Sequence, residues 1–420
     1  MKRPLFVLSV LLTFNTNTLM SDNTFKSKRI VQKPAPLTFV SRLDTDGVAH
    51  GVSIRGNYAY LADGPVGLKI IDISNPAKPI IVGTYSGGGP DVPSINSANR
   101  VRVKGNYAYM TTRFTGLQII NISNPTYPTF VNSISNENTS VDVRVQGDYA
   151  YATDAIGLLQ VIDISNPAKP RVVNTYNTQG SAEGVSTSGN YAYVAVGVSG
   201  LEIINISNPA SPTLTSIFDT RVSNGVKIVG KYAYVTDLYG EGLKILDISN
   251  SASPKKIGAS PAGFTGHDVS ISGNYAYIAS WYGGLHMIDI SNPISPLYVG
   301  TYETNMSSLD DVCVVGNYVY MANSGAGLVI LKRNIIDTDK DGIEDSIDLD
   351  DDNDGISDSD EVALGFNPLN AQDGLADYDR DGFCNAMEFN IGTDMNNIND
   401  KPIWTPILMD AIITFVPTKP

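Results

Sequence analysis

One string of text recurs seven times along this chain and restricts its fold more than any other property. Gly-Asn-Tyr-Ala-Tyr begins at Gly56, and exact or single-change copies begin at Gly105, Gly147, Gly189, Gly230, Gly273 and Gly316. The spacings are 49, 42, 42, 41, 43 and 43 residues. A second string follows each copy: GLKIIDISNP at 67–76, with counterparts starting at Gly116, Gly157, Gly200, Gly242, Gly284 and Gly327. A fixed period of this size marks a repeat architecture, in which one unit cannot bury its apolar face alone and stacks on its neighbours.

Each unit resolves into four strand-like runs. In the second unit, 101–104 and 107–111 alternate in polarity around a two-residue Gly105-Asn106 turn, 117–122 is a third run, and 129–133 follows the Ser-Asn-Pro turn. Four antiparallel strands in about 42 residues is the size of a propeller blade, so seven units predict an all-β, seven-bladed β-propeller over 36–333. The seventh unit stops after its third strand, whereas LTFVSRL at 37–43 matches the fourth-strand text at 79–85. The N-terminal strand is therefore expected to complete blade seven and remove an open edge. Alternation also puts both tyrosines of a copy on one face and the alanine on the other, so a bulky face can meet the small face of the next blade. These tyrosines read as core, not as a ligand-stacking stripe.

This text resembles the LVIVD-repeat proteins, whose units read GNYAYVA…GLxIIDISNPxxP. The resemblance covers 37 to about 333 and implies a β-propeller. It implies little about activity.

Net charge is −14, yet 337–400 alone holds 20 acidic residues against Lys340 and Arg380. The remaining 23 acidic and 27 basic residues leave the rest of the chain at +4. Such localisation points to a cation-binding device. With no basic stripe and a pI of 4.6, nucleic acid is excluded as a partner.

Within that segment, Asp337, Asp339, Asp341, Asp345 and Asp348 fall at loop positions 1, 3, 5, 9 and 12, with Gly342 at 6 and the Ile343 carbonyl at 7. Asp350, Asp352, Asp354, Ile356, Asp358 and Glu361 repeat the pattern around Gly355, and Asp377, Asp379, Asp381, Phe383, Asn385 and Glu388 repeat it around Gly382. Hard Ca²⁺ takes six to eight oxygens, and alternate carboxylates on a glycine-turned loop converge on one ion. About three Ca²⁺ sites are expected, the first weaker because Asp348 replaces the longer glutamate. Only Leu349 separates the first two loops, which leaves no room for paired EF-hand helices. The segment resembles thrombospondin type 3 calcium repeats. One helical turn ending in glycine is expected after each of the second and third loops, at Gly365 and Gly392.

Lys2-Arg3 followed by an apolar run at 5–14 has the order of a secretory signal peptide, ending near residue 20, and is too short to span a membrane. Cys313 and Cys384 fall in different modules and read as free thiols in a secreted or cell-surface protein. The apolar segment 401–420 contains Asp410 and is also too short to span.

No HExxH, GxSxG, CxxC or GK[ST] string occurs. The loops that differ most among the copies share one end of the ring, while the Gly-Asn and Ser-Asn-Pro turns occupy the other. At the loop-face mouth of the channel, His50, His267 and Asp310 come from blades one, six and seven, a set suited to a transition metal if it converges. His286, equivalent to Lys69, Gln118, Glu202 and Lys244, reads as a surface residue. Arg113, Phe114, Tyr239, Trp281 and Tyr282 form the expected contact surface. The resulting reading is a non-enzymatic scaffold that binds a protein or glycan through its loop face. The alternative is a metal-assisted hydrolase or lyase at the mouth, and a purely structural envelope protein is a third reading.

Overall fold

The computed structural model describes 37–418, apart from 90–91, 95–96, 136–137, 239–241, 261–262, 305–307, 335–337, 340–344, 346–347 and 410–411. The signal segment expected over 1–20 lies outside the described residues.

Seven four-stranded antiparallel sheets make the propeller. Blade one runs Gly51–Arg55, Tyr58–Ala62, Leu68–Asp72 and Ile80–Tyr85. Blade seven takes Leu309–Val315, Tyr318–Asn323 and Gly327–Arg333 from one end of the chain and Leu37–Leu43 from the other. The closing strand pairs from Leu37 opposite Arg333 to Leu43 opposite Leu328, with a bulge between Phe39 and Ser41. The same third-to-fourth strand irregularity recurs in the other six blades. Closure therefore uses a true fourth strand, which covers the edge that Gly327–Arg333 would otherwise expose.

That bulge has a function in packing. It aims one residue at the turn of the following blade: Ser41 Oγ donates to Pro76 O at 2.6 Å, and Asn132 and Asn174 donate to Ala168 O and Ala210 O at 2.9 and 3.0 Å. Blade one has Gly83 there instead, because a Cβ would run into Pro125 O. At the same end of the ring, the repeated glycines adopt φ between 53° and 55°, the left-handed value that a tight hairpin needs.

The core consists of interfaces between blades. Tyr58 and Tyr60 of blade one pack with Ala108 of blade two, Tyr107 and Tyr109 with Ala150, and Tyr232 and Tyr234 with Ala276. Ring closure repeats the rule, with Tyr318 and Tyr320 of blade seven against Ala59 of blade one. Burying each second tyrosine contributes roughly 1.5–3 kcal/mol.

His286 corrects the sequence reading. It is 7% exposed and stacks on Phe264 with ring centroids 4.0 Å apart, and Lys69, Gln118, Glu202 and Lys244 are buried too. The face that carries this position is covered by the adjoining blade, so polar side chains there find local partners. Lys244 pairs with Asp237, and Glu202 accepts from Gln179 N at 2.6 Å.

Beyond the propeller lie two seven-residue helices, α1 (Asp358–Leu364) and α2 (Asn385–Ile391), closed by Gly365 and Gly392, both at φ 82°. Each is longer than the single expected turn, because it begins at loop position 9. Ile403–Met409 pairs with Ile412–Thr418 in a hairpin. Among the described residues no helix is long and apolar enough to cross a membrane, and Cys313 and Cys384 are free.

Candidate functional site

The second and third acidic loops have one geometry. At position 1, Asp350 accepts the N–H groups of Asp354 and Gly355 at 3.2 and 3.0 Å, and Asp377 accepts those of Asp381 and Gly382 at the same distances. Position 6 is Gly355 at φ 98° and Gly382 at φ 100°, a conformation that side chains rarely adopt. At position 5, Asp354 and Asp381 accept from the N–H of Ile356 and Phe383 at 3.0 and 2.9 Å. Backbone bonds thus fix which carboxylate oxygens stay free.

Those free oxygens are the informative ones. Both Asp352 and both Glu361 oxygens are buried without a hydrogen-bond partner, as are Asp379 Oδ2, Asp381 Oδ2 and Glu388 Oε2. They occupy positions 3, 5 and 12, where calcium loops place ligands. A buried carboxylate oxygen with no donor is costly, and a cation removes that cost. Burial, reinforced by neighbouring carboxylates, pushes Glu361 and Glu388 up to about 7 and Asp352 up to about 6.

Asp352, Asp354, Glu361 and Asp373 bring one ligand atom each within 4.8 Å of one another, and so do Asp377, Asp379 and Asp381. Sequence spacing missed Asp373, which lies outside any twelve-residue loop; it is the only charged residue in 362–376, and that isolation was the available signal. Gly374 N donates to Asp354 Oδ2 at 2.8 Å, and a Cβ on Gly374 would collide with that carboxylate.

Position 9 is a staple in all three loops. Asp345, Asp358 and Asn385 accept the N–H groups of Thr338, Asp351 and Tyr378 at 2.8, 2.8 and 3.2 Å. Asp348 of the first loop accepts from Leu349 N at 2.7 Å, and Asp339 is placed without belonging to either carboxylate set. Asp337, Asp341 and Ile343 lie outside the described residues.

At the channel mouth, His50 Nδ1 meets Asp310 Oδ2 at 2.5 Å and His267 Nδ1 meets Asp310 O at 2.8 Å. The three expected residues do come together, with Arg100 between them. Arg100 donates to His50 O and to Asp310 O, the latter at 2.9 Å, and its Nη2 lies 3.5 Å from His267 Nδ1. Burial, then Arg100, lowers His267 to about 4. A guanidinium at this point repels a metal cation, and both imidazole Nδ1 atoms already have partners.

Comparison with known proteins bears on the repeats and on the second acidic loop. The LVIVD repeat model matches 46–87, 96–136, 139–178, 179–220, 221–259, 265–304 and 308–331, more than half of the chain. The chain belongs to the LVIVD-repeat family. A bacterial TSP3 repeat model matches 350–371, which contains the second loop, α1 and its glycine cap. No curated protein matches. Among solved structures, the computationally designed protein Ika8, crystallised in P63, is similar over 70% of this chain and 99% of its own, at 10% identity and a TM-score of 0.52. That likeness concerns the fold alone.

On the loop face of the LVIVD propeller, Trp281 is 40% exposed and packs on His267 with ring centroids 4.8 Å apart, and Tyr282 is 80% exposed. Arg113 lies over the ring of exposed Phe114 at 5.9 Å. Tyr239 lies outside the described residues.

Proposed function

We propose that this LVIVD-repeat protein is a secreted or cell-surface, non-enzymatic scaffold. Its propeller binds a protein or glycan through the variable-loop face, and its acidic tail takes up Ca²⁺. The observation that carries the calcium part is the set of buried, unpartnered carboxylate oxygens at positions 3 and 12 of two loops and position 5 of one. Oxygen-only donors in this number suit a hard cation. Exposed aromatics beside Arg100 and Arg113 support a contact role for the loop face. A charged N-terminus followed by an apolar run supports export.

Native mass spectrometry with elemental analysis tests the reading. Calcium alone, about three ions per chain and fewer in Glu361→Gln and Glu388→Gln, is the expected result. A transition metal lost on replacing His50 and His267 would instead make the mouth a catalytic centre.

A further inference from the structure

Neither the tail nor the loop face uses the charge on the propeller axis. At one level of the innermost strands, blades two, three and five present Arg102, Arg144 and Lys227, and the other four blades present three serines and Cys313. These side chains converge. Arg102 reaches Asp311 of blade seven at 3.2 Å and Asp142 of blade three at 3.7 Å, and Lys227 feels the field of both Arg144 and Arg102.

The donors outnumber the acceptors. Arg102 Nε is buried with no partner. Arg144 gives Nε–H to Val185 O at 2.9 Å and has no other acceptor, and Lys227 has none, among the described residues. On the acidic side, Asp142 accepts from Val143 N and Val185 N, Asp311 accepts from Val52 N and Val312 N, and burial together with the neighbouring Asp311 raises Asp268 well above the usual carboxylate range. The Asp142 and Asp311 carboxylates are thus already engaged by backbone N–H groups, while Arg102, Arg144 and Lys227 keep donors to spare. Burial together with the neighbouring guanidiniums lowers Lys227, as expected of a positive ring without its counter-ion.

We propose that this ring is an anion site that holds one small tetrahedral oxyanion between Arg102, Arg144 and Lys227. Guanidinium forks match tetrahedral oxyanions, and an ammonium adds a point charge. Hydrogen phosphate fits better than sulfate, because its O–H can donate to Asp142 or Asp311 whereas sulfate meets those carboxylates unprotonated. Entry is from the Gly-Asn end, where the innermost strands finish in exposed Arg55 and Lys104. At the other end the bonds among His50, Arg100 and Asp310 close the mouth.

Calorimetric titration of the calcium-loaded full chain, freed of excess ion, with inorganic phosphate and separately with sulfate tests this. One saturable site per chain is expected, tighter for phosphate and weakened about tenfold or more in Lys227→Gln. Lys227→Arg should retain it. Because Lys227→Gln removes like-charge repulsion, its anion-free thermal midpoint should rise while its response to phosphate disappears. Heats that never saturate, or that are equal in wild type and Lys227→Gln, would overturn the proposal. A fall in the anion-free midpoint of Lys227→Gln would do so as well, since the lysine would then be a structural partner. Equal affinity for both anions would place the oxyanion away from the carboxylates and overturn the phosphate preference.

Discussion

The propeller and the acidic tail are both built from repeats, but they resolve their buried groups in opposite ways. Between blades, a tyrosine pair meets an alanine, and the polar residues caught there are bonded locally, as Lys244 is to Asp237. In the tail, carboxylates are among the side chains turned inward, and oxygens of Asp351, Asp352, Glu361, Asp379, Asp381 and Glu388 are left without a donor. The propeller meets most of its interface groups with its own atoms; the tail, with its loops and caps in place, leaves a cluster of buried carboxylate oxygens without donors. Chelation should therefore separate them by the largest effect available. With calcium removed, the chain after Arg333 should become protease-sensitive while the propeller stays resistant. Equal resistance of the tail with and without chelator would end the distinction.

Single substitutions sharpen the comparison from both sides. Tyr109 is 2% exposed and fills the interface with Ala150 and Ile162. Tyr109→Ala should cost the propeller about 3–5 kcal/mol in urea unfolding and leave the calcium affinity unchanged. Glu361→Gln should do the converse, weakening calcium binding at the second loop about ten- to a hundredfold while the propeller transition stays in place. Titration followed by tail proteolysis and by tyrosine fluorescence reads both. Coupled changes in either variant would mean that the modules fold as one unit.

What the sequence made legible follows the same division. Blade count, ring closure and the tyrosine–alanine rule were readable because each depends on a local period repeated seven times. The acidic loops were readable because calcium ligands sit at fixed offsets around a glycine. Asp373 was not, since it joins Asp352, Asp354 and Glu361 across a spacer of no fixed length. His286 misled because the surrounding copies carry Lys, Gln and Glu, residues that look solvated; the adjoining blade buries their stems and supplies partners. At the mouth, the sequence reading set His50, His267 and Asp310 on one rim and overlooked Arg100, whose side chain enters the same space from blade two.

The two modules should also answer acid with opposite signs. Burial lowers His286 to about 4, and burial with Arg100 does the same to His267, so both are neutral in the native propeller where the unfolded chain would take up protons. Native histidines that bind fewer protons make stability fall as pH drops from about 6.5 toward 4. In the calcium-free tail, burial and neighbouring acids raise Glu361 and Glu388 to about 7. There the native state holds more protons, so stability is present at low pH and is lost as pH rises toward 7. His286→Gln isolates the propeller's share, because Gln118 already occupies the equivalent position, 0% exposed, in blade two. The substitution should recover on the order of 1–2 kcal/mol at acid pH and change little at pH 8, with His267 supplying the dependence that remains. Thermal midpoints across that range measure it. An unchanged slope in His286→Gln would mean that this imidazole is protonated inside the blade, with a water or acidic partner at Nε2.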